Sequence, residues 1–512
     1  MVSVERRRRR ARQPEPQRPA GPAQPPWRLH ERRFEPTPVV SDDELEAIHA
    51  ASLTVLCDTG MDFLHPTAQR MWADAGAEVD GARVRLDPEM VTELVAAAPC
   101  EFVLHAPDPS RHLPIGGRHI AFSSVASPPN VADRAGGRRQ GNLDDFRRLV
   151  MLGEVLNAVA FVGGYPVEPV DVHPSVRHLV ATRDLLTLSG KAVHAYSLGA
   201  QRNRDCLEMV RIARRVSDDD LEGEPSIFTV VNCSSPLRLD TPMLEGILQY
   251  SARNQVVVVT PFTLAGAMAP VTVAGAVVQQ NAEALAGIAF CQLVRAGAPV
   301  VYGGFTSNVD MQSGAPAFGT PEYMKAVLLG GQLARRYGIP YRSSNACAAN
   351  AVDAQAAYES VFSLWAVIAG GAHMVLHGAG WMEGGLQACF EKMVIDADLI
   401  GMVGAFLEPL ATDADSLAVE AIAEVGPGGH FFGTAHTLAR YRDAFFKPMV
   451  SDWRNYETWA EAGCPTALDH AERLVGEFLD AYRPPVMADD VRAELDDFTD
   501  RRIAEGGVPT DY

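Results

Sequence analysis

Short apolar runs alternate with helix-length stretches through most of the chain. The runs fall at residues 119–125, 158–163, 192–197, 227–232, 255–260, 299–303, 340–344 and 373–377. They are nearly continuous in apolar residues, as parallel strands covered on both faces must be. Between them, the spacing predicts helices over 142–156, 172–189, 201–215, 240–253, 272–295, 321–337 and 353–370, with an eighth at 390–407. Several starts carry caps: Asn142 before Leu143-Asp144-Asp145, Thr320-Pro321-Glu322, and Asp353. Eight strand–helix units within residues 116–410 predict an α/β fold, a (β/α)8 TIM barrel. An open doubly wound sheet would want a glycine-rich turn directly after its first strand, and Ser123-Ser124-Val125-Ala126-Ser127-Pro128-Pro129 is not one.

The flanks read differently. Residues 1–37 hold Arg6 to Arg10 and a Pro/Gln/Ala stretch, and are expected to be a disordered basic tail. Residues 38–115 predict an N-terminal α+β layer. It opens at Ser41, an N-cap with Glu44 three positions on and Leu45 and Ile48 following at helical spacing. Residues 411–512 predict a mostly helical C-terminal extension. His430 and His436, in its glycine-rich stretch 426–436, are expected to be structural.

Charge narrows the function. The formal net charge is −19, and the tail alone carries ten arginines against four glutamates, so the body is more acidic still. Such a surface repels nucleic acid phosphates. No window approaches the roughly 20 apolar residues of a membrane span. Eight scattered cysteines with no CxxC pair read as reduced thiols of a cytoplasmic protein, which argues against structural zinc. Oligomerisation is expected through apolar outer helices such as residues 284–293.

A barrel places its site at the C-terminal ends of its strands. Those ends offer Ser123, Ser124, Tyr165, His194, Tyr196, Asn232, Thr260, Phe262, Tyr302, Phe305, Thr306, Asn308, Ser343, Ser344, Asn345, Asn350, His377, Trp381 and Glu383. Aromatics, amides and hydroxyls dominate, and cations and carboxylates are scarce. Only four residues are lysine, and none lies at a strand tip, so a Schiff base is not expected. His373 and His377 would lie ~13 Å apart on one strand, too far to chelate one ion, and no bound metal is expected. An aromatic pocket with few full charges suits a quaternary ammonium, which ring faces attract by ~0.5–2 kcal/mol per contact.

At this point longer motifs matter. Tyr302-Gly303-Gly304-Phe305-Thr306-Ser307-Asn308-Val309-Asp310-Met311 is followed by Gly314-Ala315-Pro316-Ala317-Phe318-Gly319-Thr320-Pro321-Glu322. Then come Asp353-Ala354-Gln355-Ala356-Ala357-Tyr358-Glu359, Glu383-Gly384-Gly385 and Phe390-Glu391-Lys392-Met393-Val394-Ile395-Asp396. Over about residues 40–480 the chain resembles the trimethylamine methyltransferase family. The resemblance implies a barrel that demethylates a methylamine and passes the methyl group to the cobalt of a separate corrinoid protein. The corrinoid (cobalamin) would be carried by that partner, with no cofactor held tightly by this chain. The archetypes carry pyrrolysine in the barrel. Here the seventh strand ends in Ser343-Ser344-Asn345-Ala346-Cys347, so the chain resembles the members without pyrrolysine, glycine betaine:corrinoid methyltransferases and relatives acting on other quaternary amines.

On that reading Trp381, Phe305 and Tyr196 or Tyr165 would line the cation. Asn345, Asn350, Asn308 and Ser344 would hold a substrate carboxylate, with His377 orienting it or donating to it. Glu383 could face the ammonium or cap the Gly384-Gly385 turn. Cys347 reads as a packed residue. The alternative is a barrel lyase or hydrolase on a small polar substrate, with His377 and Glu383 as acid and base.

Overall fold

The computed structural model describes residues 21–509. Its central sheet has eight strands: β1 (His30–Glu31), β2 (His119–Ser124), β3 (Val193–His194), β4 (Ile227–Val231), β5 (Val256–Val259), β6 (Val300–Gly303), β7 (Tyr341–Ser344) and β8 (Met374–Ala379). The order is β1-β2-β8-β7-β6-β5-β4-β3. All neighbours are parallel except β1, which runs antiparallel on β2. Four consecutive valines make β5, and all are fully buried, which is what a strand covered on both faces requires. The sheet curls, and the run expected at 158–163 contributes a single residue to it: Phe161 bridges Ser123 on one side and Ala192 on the other.

Helices lie between these strands along the chain. They are α3 (Leu143–Val155), α4 (Pro174–Leu188), α5 (Ala200–Arg214), α6 (Thr241–Ala252), α7 (Val273–Val294), α8 (Pro321–Tyr337) and α9 (Ala354–Gly370), with α10 (Phe390–Leu407) after β8. Their starts are fixed locally. The side chains of Asn142, Asp240, Thr272, Thr320 and Asp353 accept N–H bonds of the first turn, satisfying donors a helix start leaves open. The N-terminal layer adds α1 (Asp42–Thr54) and α2 (Pro88–Ala96), both packed on α7. This corrects one expectation: residues 284–293 are not an outer face, because α1, α2, α6 and α8 cover that helix.

The inside of the curl is filled from its N-terminal end. Ala121, Phe161, Phe228, Val256, Val258, Val301, Met374 and Leu376 form one buried cluster, closed below by the hairpin of Glu101–Leu104 and Leu113–Gly116. Trp27 and Leu29 pack on the same cluster, and β1 extends the sheet edge. The expected tail boundary at residue 37 therefore falls within packed chain; residues 1–20 lie outside the described residues.

At the opposite end the loops after the strands carry small sheets of their own. Asn130–Asp133, Gly137–Gln140, Trp381–Met382 and Gln387–Cys389 form one, and Leu264–Ala265, Ser307–Val309 and Pro316–Ala317 form another. Residues 402–456 expose large apolar side chains, among them Phe406, Leu410, Phe432, Phe445 and Trp453. No helix among the described residues is long and apolar enough to cross a membrane.

Candidate active site

Where the apolar filling of the curl stops, a cavity of about 230 Å³ opens toward the C-terminal ends of the strands. Val230 and Leu376 belong to both, so they form the boundary. The lining continues with His194, Tyr196, Asn232, Thr260, Phe262, Phe305, Arg342, His377 and Trp381. Among the described residues, no aspartate, glutamate or lysine contributes to it.

Strand alternation explains the least expected member. Tyr341 sends its hydroxyl outward to the carbonyl of Val327 on α8, at 2.9 Å. The next residue, Arg342, therefore points inward. Its side chain is only 2 % exposed, and its guanidinium lies over the Phe305 ring, 5.3 Å from the centroid. Nε and Nη1 have no hydrogen-bond partner among the described residues, and no carboxylate pairs with the group. Burial lowers its pKa to about 10, which leaves it charged at neutral pH. The residue after next, Ser344, shares the inward face, and its hydroxyl lies 3.0 Å from Nδ1 of His377.

Phe305 is the hub of the aromatic wall. Around it lie Phe262 at 5.2 Å between centroids, Phe318 at 5.4 Å, His377 at 5.8 Å and Trp381 at 5.9 Å. Trp381 stacks on the His377 ring, 5.1 Å away and 24° from parallel. Its loop needs glycine at 385: φ is +100°, and a Cβ there would sit 2.7 Å from the indole. His377 itself has φ +55°, in the left-handed region that side chains seldom adopt.

Both cavity histidines are neutral bases held low. Burial pushes the pKa of His194 down to about 4. Its Nε2 accepts the N–H of Val230, so Nδ1 carries the hydrogen donated to the carbonyl of Gly163, at 2.8 Å. Burial, with the Arg342 charge second, holds His377 well below the usual imidazole range.

The other expected residues fall elsewhere. Tyr196 lines the cavity, and its hydroxyl accepts the N–H of Tyr165 and shares a 2.8 Å hydrogen bond with Ser127. Tyr165 stands behind it, edge-on at 4.8 Å, and faces a separate groove with Glu168, Arg177 and His178. Glu383 lies outside the cavity, where both its oxygens receive Arg138 at 2.7 and 2.9 Å. Asn308 accepts from the Thr320 hydroxyl, and Asn350 is exposed on its loop. Asn345 donates to the carbonyl of Gly378, and its own carbonyl is buried without a partner. None of the four groups expected to hold a carboxylate lines the cavity; the Ser344 hydroxyl meets His377, and the Asn345 N–H meets the carbonyl of Leu376, both of which do.

Arg342 is what the strand-end inventory missed, because the count of scarce charges stopped one residue short. The available signal was an arginine inside a run otherwise buried on both faces, an arrangement that calls for a partner. Cys347 is buried and its thiol is pushed up to about 12, too inert for a nucleophile. Among the described residues no three His, Cys, Asp or Glu side chains converge on a metal position.

Comparison with known proteins gives these features a setting. The family described as trimethylamine methyltransferase matches residues 5–507. The chain is 32% identical over 470 residues to a glycine betaine methyltransferase of Desulfitobacterium hafniense (strain Y51), covering 92% of this chain and 98% of that one. It is 26% identical over 479 residues to a trimethylamine methyltransferase of D. hafniense (strain DSM 10664 / DCB-2), covering 91% and 94%. Among solved structures, the Methanosarcina barkeri monomethylamine methyltransferase aligns with a TM-score of 0.51 at 12% identity, covering 90% of this chain and 88% of that one. That likeness bears on the fold alone.

Proposed function

The chain belongs to the trimethylamine methyltransferase family and is a methyltransferase; from that premise we propose that it takes a methyl group from a betaine-type quaternary amine and delivers it to a corrinoid on a separate protein. The observation that carries this reading is the cavity lining: aromatic rings and neutral histidines, with no carboxylate and no acid able to protonate a leaving group.

The chemistry needs nothing more. When a nucleophile displaces a methyl group from R–N⁺(CH₃)₃, the C–N bond breaks and its electron pair stays on nitrogen. The leaving group is a neutral tertiary amine, so no proton moves. A neutral trimethylamine would leave as an amide anion unless protonated or captured first. The rings of Phe262, Phe305, Trp381 and Tyr196 bind the ammonium and strip its water, and a fixed pose aligns one N–CH₃ bond with the open mouth. The mouth suits an acceptor brought from outside, being edged by the exposed Leu198 and Asn232. A reduced corrinoid carried by a partner would supply the nucleophile there. The acid–base alternative with His377 and Glu383 lacks support, since Arg138 engages Glu383 outside the cavity.

Two further parts of the reading concern architecture. The curled sheet is a (β/α)8 barrel whose second stave is reduced to Phe161, a reading supported by the paired bridges of that residue. Copies of the chain associate through the apolar side chains exposed at 402–456, which sedimentation equilibrium tests.

The test of function is direct. Purified protein is incubated with glycine betaine and a reduced corrinoid protein, and the demethylated amine is followed by mass spectrometry. Dimethylglycine should accumulate only when all three are present. If no quaternary amine is demethylated with any reduced corrinoid, the proposal is overturned.

A further inference from the structure

The cavity that suits a cation also contains one. Arg342 shares the ring Phe305 with the proposed ammonium pocket, and a substrate bearing positive charge alone would meet a desolvated guanidinium within a few ångström. Like charges that close in a dry site repel strongly. Arg342 differs from the buried lysines, and although Arg32 also keeps a buried Nε and Nη1 without partners, Arg342 is the one of the two that lines the cavity. Lys392 is held by Asp396 and the Ser360 hydroxyl, and Lys191 donates to the carbonyls of Gly153 and Leu156. Burying a cation without an opposite charge costs several kcal/mol. The Phe305 face keeps the guanidinium plane in place and leaves its N–H groups without protein acceptors. A planar fork of donors in this state matches a carboxylate.

Resting on the ammonium reading above, we infer that Arg342 is a specificity-determining residue: it receives the carboxylate of a zwitterionic quaternary amine whose trimethylated head lies against the rings. One group resolves two otherwise separate problems, since the substrate supplies the missing anion and cancels the repulsion. The amide residues expected to do this do not line the cavity, while Arg342 does. Cationic methylamines that carry no anionic group are disfavoured by the same residue that admits betaines, a selection against competitors as much as for the substrate.

The test compares trimethylglycine with its carboxamide, with choline and with tetramethylammonium, using the full chain and a reduced corrinoid protein. Wild-type protein should favour trimethylglycine over each of the other three by at least about 100-fold in kcat/KM, the scale expected for a buried charge pair. In Arg342→Met that preference should fall below about 3-fold, chiefly through KM, and Arg342→Lys should restore part of it. If wild-type protein demethylates choline or tetramethylammonium as well as trimethylglycine, this inference fails while the methyltransferase reading stands. If Arg342→Met is folded but loses all substrates equally, the inference also fails. Should that variant not fold, the wild-type series decides alone. Demethylation of no quaternary amine by wild type would instead remove the functional reading beneath it.

Discussion

Two buried basic side chains, Lys191 and Arg342, are handled in opposite ways at the two ends of the curled sheet. At the N-terminal end, Lys191 is fully buried just before β3, yet its ammonium donates at 2.6 and 3.0 Å to carbonyls at the C-terminus of α3. His373, just before β8, accepts the N–H of Tyr341 on one ring nitrogen and meets the carbonyl of Gly117 with the other. At the C-terminal end, Arg342 and Thr260 line the cavity and keep buried nitrogen or oxygen atoms without partners. The first arrangement closes a core. The second leaves bonding capacity that a small polar molecule can use. The same kind of residue, a buried basic side chain, closes a core in one place and is the proposed carboxylate receiver in the other.

Exchanging the two roles by mutation gives the largest expected contrast. Lys191→Ala should destabilise the fold by about 3 kcal/mol, since it opens a void and orphans two carbonyls, and leave substrate preference intact. Arg342→Met should do the reverse: loss of preference with unchanged or raised melting temperature, because a well-packed apolar residue often matches or betters a buried ion. Scanning calorimetry beside the substrate series reads both. A Lys191 variant with altered preference, or an Arg342 variant that melts earlier, would break the comparison.

Next in size is the wall itself. Trp381→Leu should raise KM for trimethylglycine about 30-fold, the worth of one dry cation–ring contact, with a smaller change in kcat. An effect on kcat alone would move Trp381 from binding to alignment.

Acid should weaken the fold in a definite window. Burial holds His30, His194 and His373 at about 4 and His377 well below its usual value. The unfolded chain titrates them near 6.5, so between about 4 and 6.5 it binds more protons than the folded chain. Stability therefore rises with pH through that window and is lost on acidification. Burial also lowers Lys191 to about 7 from 10.5, so its contribution rises further from about pH 7 to 10.5. Melting temperatures from pH 4.5 to 9 test the slope. KM for trimethylglycine should stay flat from pH 6.5 to 8.5, because Arg342 remains charged throughout.

The smallest effect belongs to Glu383. Its pair with the half-exposed Arg138 is a weak, solvent-screened contact outside the cavity, so Glu383→Gln should change kcat/KM by less than about 5-fold. A loss of activity with a flattened acidic limb in the pH profile would revive the acid–base alternative.

Much of this was legible before the structure. The strands from 119–125 to 373–377 and the eight following helices lie close to their expected places, because buried parallel strands and capped helices write their patterns locally. The run at 192–197 is strand only over Val193–His194, and residues 158–163 depart furthest. Their apolar run made a strand plausible, but only Phe161 meets its neighbours. The aromatic wall was half visible: Phe305, Trp381, Tyr196 and His377 were among the candidates, while Tyr165 stands one layer behind. The asparagines were not distinguishable, since whether an amide faces a cavity, a carbonyl or solvent depends on loop paths that spacing does not encode.

The sequence by itself determined the alternation of elements, the scarcity of acids and lysines at the strand ends, and the long motifs shared with a methyltransferase family, all of which are local or compositional properties. Only the tertiary structure decided which face of β7 turns inward, and with it that Arg342 rather than an asparagine waits in the cavity. It also showed Glu383 drawn away to Arg138. Both outcomes hang on contacts between segments far apart in the chain, where packing and charge pairing choose among side chains that look equivalent along a line.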